Sequence, residues 1–168
     1  MQNVRQRNYY LLSTTKMDCI SIIKKASEAA GMKFQLGHLE EICTILASNT
    51  NANLTTYPCV MVLEDIREVE EEYKTLSTLQ ALIVVHSDLT IRPLPRWNDV
   101  MQGQLLVLYN KLIAEIEKEA QIVKPINKIY RPLVSNAFNF GTPQTPVFND
   151  HLNGIELRDF KFSFINNC

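Results

Sequence analysis

Two short runs of almost continuous apolar residues constrain the fold of this 168-residue chain more than any other feature of its sequence. They occupy Tyr57–Leu63 and Leu79–Val85, contain several β-branched residues and are bounded by polar segments. Apolar runs of this length and composition favour strands. We therefore expect both runs to be central strands of one sheet.

A third strand is expected at Ile155–Ile165, after a turn at Asn153-Gly154. Its apolar residues fall into two sets of opposite parity, Ile155 with Leu157 and then Phe160 with Phe162 and Phe164. Because side chains alternate between the two faces of a sheet, the inward face must change near Arg158-Asp159. A β-bulge at that point would bring both sets to one side.

Helical spacing appears in three segments. Lys16–Ala30 carries apolar residues at helical intervals, with Thr15-x-x-Asp18 resembling a capping box and Gly31 suited to end the helix. After a brief strand from Met32 to Leu36, a second helix carries the apolar residues Leu39, Ile42, Cys43 and Leu46.

The third and longest helix should cover the sheet. Its apolar stripe comprises Trp97, Met101, Leu105, Leu108, Leu112 and Ile116. A glycine inside a helix is unfavourable, so Gly103 suggests a close approach of another backbone. We expect Leu108 to lie in the core, so Leu108→Ala should lower the free energy of unfolding by about 2–5 kcal/mol.

The rest of the chain completes an α+β fold with a single, mainly antiparallel sheet, covered by the long helix and two shorter N-terminal helices. Residues 1–15 read as an N-terminal arm and residues 16–168 as one domain. Ile126–Val134 has strand character, Ser135–Pro146 reads as a loop with aromatic residues, and Phe148–Asn153 as one helical turn.

Charge, hydropathy and cysteine content limit the compartment and the kinds of partner that we expect for this protein. A formal net charge of −1 gives no general attraction toward nucleic acid, and no apolar run approaches the ~20 residues needed to cross a bilayer. The start of the chain does not resemble a signal peptide. The cysteines are scattered as expected for buried thiols in a reducing cytoplasm, with Cys168 exposed by the terminus: Cys19, Cys43, Cys59 and Cys168.

The catalytic and cofactor motifs are weak, and we expect a protein that is not an enzyme and holds no cofactor or metal. Asp65 with Glu72-x-Lys74 loosely matches the acidic residues and lysine of Mg²⁺-dependent nucleases, but this segment is mostly charged, which makes a chance match easy. The histidines lie outside any metal or catalytic motif: His38, His86 and His151. No glycine-rich phosphate loop is present in the sequence.

The order of elements, the Tyr57–Val60 strand start and the closing segment Phe148–Phe160 resemble the tail-completion or tail-terminator-like proteins of tailed bacteriophages. The likeness is greatest to small proteins from phages of gut bacteria and spans about residues 17–165. It implies a virion protein, assembled in the host cytoplasm, that forms a ring between portal and tail or at the end of the tail. DNA passes through such rings, which have six copies in long-tailed phages and twelve in the connectors of short-tailed ones.

On this reading the partners are further copies of the chain, other connector, portal or tail proteins, and the passing DNA through non-specific contact, without a membrane. The residues expected at interfaces are aromatic, basic or acidic: Arg5, Arg7, Tyr9, Tyr10, Glu68, Glu70, Glu71, Glu72, Phe138 and Phe140. The acidic segment Glu64–Glu72 would face either the lumen or a basic neighbour. The alternatives are a cytoplasmic assembly or host-directed interaction protein and, third, the Mg²⁺-dependent nuclease.

Overall fold

A mixed β-sheet is the centre of the computed structural model, which describes residues 18–38, 41–42, 57–86, 91–126, 129–133 and 152–165. Within these ranges six strands follow the order β1-β2-β4-β6-β5, and β3 pairs with the remaining part of β4. β1 and β2 are parallel, and the other neighbouring strands are antiparallel. The strands are β1 (Lys33–Gly37), β2 (Cys59–Leu63), β3 (Arg67–Glu70), β4 (Lys74–His86), β5 (Arg131–Leu133) and β6 (Leu152–Ile165).

This arrangement confirms the α+β class and the adjacency of the three predicted central strands, which are β2, β4 and β6. The apolar runs become neighbours because the acidic segment between them folds back as a hairpin, with β3 antiparallel to β4. No helix within the described ranges is long and apolar enough to span a bilayer.

Helix α1 (Cys19–Ala29) begins one turn later than the predicted capping box requires. The side chain of Asp18 accepts a hydrogen bond from the Ser21 backbone N–H at 2.7 Å, so Asp18 is itself the N-cap residue. The predicted capping role of Thr15 lies outside the described residues. Gly31 follows the helix with φ +81°, a left-handed conformation that glycine adopts readily, and this confirms its predicted role.

Helix α2 (residues 93–118) joins three stretches: Pro93–Pro95, a π-helical Arg96–Leu105 and an α-helical Leu106–Lys118. At the junction the Leu106 N–H donates to the carbonyl of Met101, five residues back. Four residues of the predicted stripe are buried, namely Met101, Leu105, Leu112 and Ile116. Tyr109 is buried with them, whereas Trp97 is exposed. Leu108 is only partly buried but packs against the main core, so its predicted core role holds in part, and the cost of Leu108→Ala stays a prediction.

Gly103 also departs from expectation. The nearest atom to an added Cβ would be the carbonyl oxygen of Asn98 at 3.3 Å, which belongs to the same helix. Among the described residues, no backbone of another element comes within 4 Å of that position, so the structure gives no support for the predicted close approach. The glycine lies on the exposed side of the wide turn.

The main core lies between α1, α2 and one face of the sheet, here called the helix-facing side. On β6, two residues, Arg158 and Asp159, lie opposite the single residue Gln80 of β4, and Asp159 has φ +52°. This irregularity confirms the predicted β-bulge. It places both parity sets of β6 in the same core: Ile155, Leu157, Phe160, Phe162 and Phe164.

The ends of two predicted strands need correction. β6 begins at Leu152, so Asn153 and Gly154 pair with Val85 and Val84 inside the strand and do not form a turn. The longer strand is favoured because it pairs on both sides, with β4 and with β5. Within the predicted Ile126–Val134 strand, the described residues that form a strand are those of β5. The predicted helical turn Phe148–Asn153 is wrong at its end, because Leu152 and Asn153 belong to β6. The rest of that turn, the N-terminal arm, the Ser135–Pro146 loop and most of the second helix lie outside the described residues.

Candidate functional site

The face of the sheet opposite the helices, here called the second face, is divided into two halves. The half formed by β2 and the adjoining parts of β4 and β6 is apolar and buried, and we call it the covered half. Its residues are Cys59, Met61, Leu82, Val84 and Leu152, and Ile42 packs against them. Burial raises the pKa of the Cys59 thiol to about 12.

The other half of the second face lies toward the β3–β4 hairpin and is exposed or only partly buried; we call it the open half. One row across the strands comprises Arg67, Thr78 and Lys161, and the next comprises Val69, Leu76 and Ser163. Val123 extends the second row, since its N–H donates to the carbonyl of Ser163 at 2.9 Å. Val69 and Ile165 are 47 % and 48 % exposed. Apolar and basic side chains thus share one accessible surface.

A polar cavity of about 250 Å³ lies at the boundary between the two halves. It forms at the bulge, where the extra residue of β6 bends the strand and interrupts the ladder. We call it the bulge cavity. Its lining combines three cations, two carboxylates and three uncharged residues: Arg67, Arg158, Lys161, Asp65, Asp159, Thr78, Leu79 and Gln80.

A buried carboxylate organises one wall of the bulge cavity. The side chain of Glu156 is 4 % exposed. Its Oε1 accepts from Gln80 Nε2 at 2.8 Å and from Arg158 Nη2 at 3.1 Å, and its Oε2 lies 3.9 Å from Arg131 Nη1. A buried charge is tolerated where it is paired and hydrogen-bonded. Glu156 therefore fixes Gln80 and Arg158, both of which line the cavity.

The turn between β3 and β4 is the second exposed feature, and we call its residues Glu71, Glu72, Tyr73 and Lys74 the hairpin tip. The Glu71 N–H donates to the Lys74 carbonyl at 2.8 Å, and the two side chains form an ion pair at 3.3 Å. The hydroxyl of Tyr73 donates to Glu72 Oε1 at 2.8 Å. The Tyr73 ring is nevertheless 70 % exposed, so the turn presents an aromatic ring beside carboxylates.

The acidic segment predicted as one surface is distributed over several. Glu68 lies on the helix-facing side, where it accepts from the hydroxyl of Ser77 at 3.1 Å. Glu70 has the same parity on β3, whereas Glu71 and Glu72 are at the hairpin tip. Glu64 pairs with His38 at 3.0 Å. All four predicted acidic interface residues are exposed. The others, Arg5, Arg7, Tyr9, Tyr10, Phe138 and Phe140, lie outside the described residues.

The nuclease pattern is not assembled in space. Asp65 lines the bulge cavity before β3, and Glu72 with Lys74 lies in the turn after it. The four residues of β3 separate them by roughly 13 Å. Across the ranges that the structure describes, no group of three or more His, Cys, Asp or Glu side chains could hold a metal ion.

The described thiols are structural in character. Cys19 and Cys59 are buried and free, as the sequence predicted for the cysteines in general. Burial, with a smaller contribution from Glu68, raises the pKa of Cys19 to about 12. Such thiols are poor nucleophiles because the thiolate is the reactive form.

Sequence reasoning missed the bulge cavity and therefore Thr78, Gln80 and Lys161. The lining comes from three segments that meet only through strand register: 65–67, 78–80 and 158–161. One signal was present, since the parity change at Arg158-Asp159 located the bulge.

No protein-family model and no curated protein matches this sequence.

Proposed function

We propose that this chain is a structural virion protein of a tailed phage. In this proposal it forms a ring in the head-to-tail connector or at the tail terminus, and DNA passes through the ring. Catalysis, cofactors and a membrane have no part in this role. The partners are identical copies and the connector, portal or tail proteins on either side.

The observation that carries the proposal is the pair of separate exposed surfaces on one sheet, the open half and the hairpin tip. The open half presents the apolar side chains of Val69, Val123 and Ile165. The hairpin tip presents Tyr73 beside two carboxylates. Apolar side chains grouped on an accessible surface are typical of contact regions. A subunit with two different contact surfaces suits head-to-tail association, which gives a closed ring when the rotation between copies closes.

The proposal also names the segment that packs on the covered half. This segment is the second N-terminal helix, predicted around Leu39–Leu46. The support is Ile42, which is fully buried against Met61 and Leu82. The sheet of the ring subunit would then have two N-terminal helices and the long helix α2 around it, with the open half left for neighbours.

The proposal is tested by the size and shape of the purified protein. Light scattering should give a mass of six or twelve subunits, and negative-stain images should show rings with a central channel. A protein that stays monomeric at high concentration would contradict the ring and favour the assembly or host-directed interaction protein. Mg²⁺-dependent cleavage of DNA by the same preparation would instead support the nuclease.

A further inference from the structure

We propose that the hairpin tip of one copy docks into the bulge cavity and the adjoining open half of the next copy. The inference rests on the proposed ring and names the two surfaces that meet in it. The occupant of the open half is thus a second copy of this chain.

The geometry requires two molecules for this contact. The cavity begins at Thr78 and the hairpin tip ends at Lys74, four residues away along β4, or roughly 13 Å. The tip therefore points away from the cavity of its own chain. Donor and acceptor surfaces differ, so the contact is head-to-tail and each copy uses both surfaces once.

Charge complementarity favours this occupant. The cavity is lined by Arg67, Arg158 and Lys161, and within the described ranges Arg67 and Lys161 form no ion pair. The buried carboxylate of Glu156 fixes Arg158 at the rim of the cavity. The hairpin tip supplies Glu72, whose carboxylate accepts from the Tyr73 hydroxyl and retains further acceptor capacity. Hydrogen bonds between such groups are charge-assisted and directional.

Apolar complementarity supports the same arrangement. Next to the cavity, one row further along the strands, lie Val69, Leu76 and Val123. These side chains form a surface on which an aromatic ring can pack while its hydroxyl remains near polar partners. Tyr73 presents such a ring beside Glu72. Tyrosine is enriched at protein interfaces because it combines both properties.

Two other occupants fit less well. Nucleic acid would meet Asp65 and Asp159 in the same cavity as the cations, so the lining has a formal charge of only 3 − 2 = +1. Antiparallel pairing of two β3 edges would bring the carboxylates of Glu68 and Glu70 from both copies close together. The hairpin tip brings the carboxylate of Glu72, while that of Glu71 is paired with Lys74, so it places fewer negative charges beside Asp65 and Asp159 than a run of phosphates would. It also keeps the two β3 edges apart.

Charge reversal and its complementation test the contact. Glu72→Lys reverses the tip and Lys161→Glu reverses the cavity, while Lys111→Glu makes the same change on the exposed side of α2 as a control. We expect each of the first two variants to self-associate at least about tenfold more weakly than the wild type in sedimentation velocity, and the control to behave normally. Circular dichroism verifies that all variants remain folded.

A mixture of the two reversed variants should assemble again. The reversed tip then meets the reversed cavity, and the unchanged tip meets the unchanged cavity, so alternating rings form. If both reversed variants still formed rings like those of the wild type, this inference would be overturned, but the proposed ring would stand. A monomeric wild-type protein would overturn the ring and the contact together. Loss of DNA retention on Lys161→Glu, with rings unchanged, would assign the cavity to nucleic acid and also overturn the inference.

Discussion

The covered and open halves of the second face are built from the same two long strands, yet they have different chemistry. In the covered half, β4 and β6 contribute Leu82, Val84 and Leu152, all buried. In the open half the same strands contribute Thr78 and Lys161 to the accessible surface. The helix-facing side, in contrast, stays apolar on β6 from Ile155 through the bulge to Phe164. The residues of the second face are thus buried in the core on one side of the bulge and accessible on the other.

The main difference between the halves is that the apolar residues of the open half remain accessible. A solvated sheet face normally shows polar side chains. Here Val69, Leu76 and Val123 lie in one row that Ser163 interrupts, with Ile165 beyond it. A row of this kind next to a basic cavity is typical of a surface that another protein covers.

Thiol reactivity should show the largest difference between the halves. Burial raises the pKa of Cys59 to about 12, whereas an exposed cysteine has a pKa near 8.5. At pH 8 and below the concentration of assembly, iodoacetamide should therefore modify Cys59 at least about a hundredfold more slowly than a cysteine introduced by Val69→Cys. Mass mapping of the modified peptides gives both rates from one sample. Similar rates would mean that the covered half opens readily.

Leucine truncation should give the next largest difference, measured by chemical denaturation below the concentration of assembly. Leu82→Ala removes a fully buried side chain from the covered half and should lower the free energy of unfolding by about 2–5 kcal/mol. Leu76→Ala, in the open half, should lower it by clearly less, because the side chain of Leu76 is only partly buried. Equal costs would remove the distinction between the halves.

The boundary between the halves depends on Glu156. Glu156→Ala should lower the free energy of unfolding by about 1–3 kcal/mol, because the Gln80 amide loses its hydrogen bond and Arg158 its anchor. Glu71→Ala, which breaks the exposed pair with Lys74, serves as a control and should cost less than about 1 kcal/mol. If thermal denaturation gave the two variants the same stability, the anchoring role of Glu156 would be wrong.

The bulge itself should show the smallest effect. Asp159 has φ +52°, a left-handed conformation that aspartate tolerates better than β-branched residues do. Asp159→Val should lower the free energy of unfolding by about 1–2 kcal/mol, whereas Asp159→Gly should be close to neutral. A valine variant as stable as the wild type would argue against this backbone conformation.

The sequence located the bulge because strand parity is a local property. The change of parity between Leu157 and Phe160 is visible without knowledge of the pairing partners. The two apolar runs predicted their strands for the same reason. The parallel pairing of β1 with β2 left no comparable signal, because it depends on which strands become neighbours.

The stripe of α2 was predicted in large part, since Met101, Leu105, Leu112 and Ile116 are buried. It missed Tyr109, which lies on the same face four residues after Leu105, and it included Trp97, which is exposed. The i→i+5 hydrogen bond from Leu106 to Met101 left no signal in the sequence. The bulge cavity could not be predicted from the sequence, because Arg67 and Lys161 come together only through the register of β3, β4 and β6. The acidic segment was recognised, but the division of its carboxylates between two sides of a hairpin required the structure.

The central claim is that the hairpin tip of one copy lies in the bulge cavity of the next, and a disulfide test addresses it most directly. Glu72→Cys and Lys161→Cys are combined in a chain in which Cys43 and Cys168 are serine, and the assembled protein is oxidised. A disulfide requires Cα atoms within about 7 Å, a distance that the two positions cannot reach within one chain. The account predicts a ladder of covalent multimers that ends at the full ring and disappears on reduction, with no ladder from either single variant. Intact rings that remain monomeric on a non-reducing gel would contradict it.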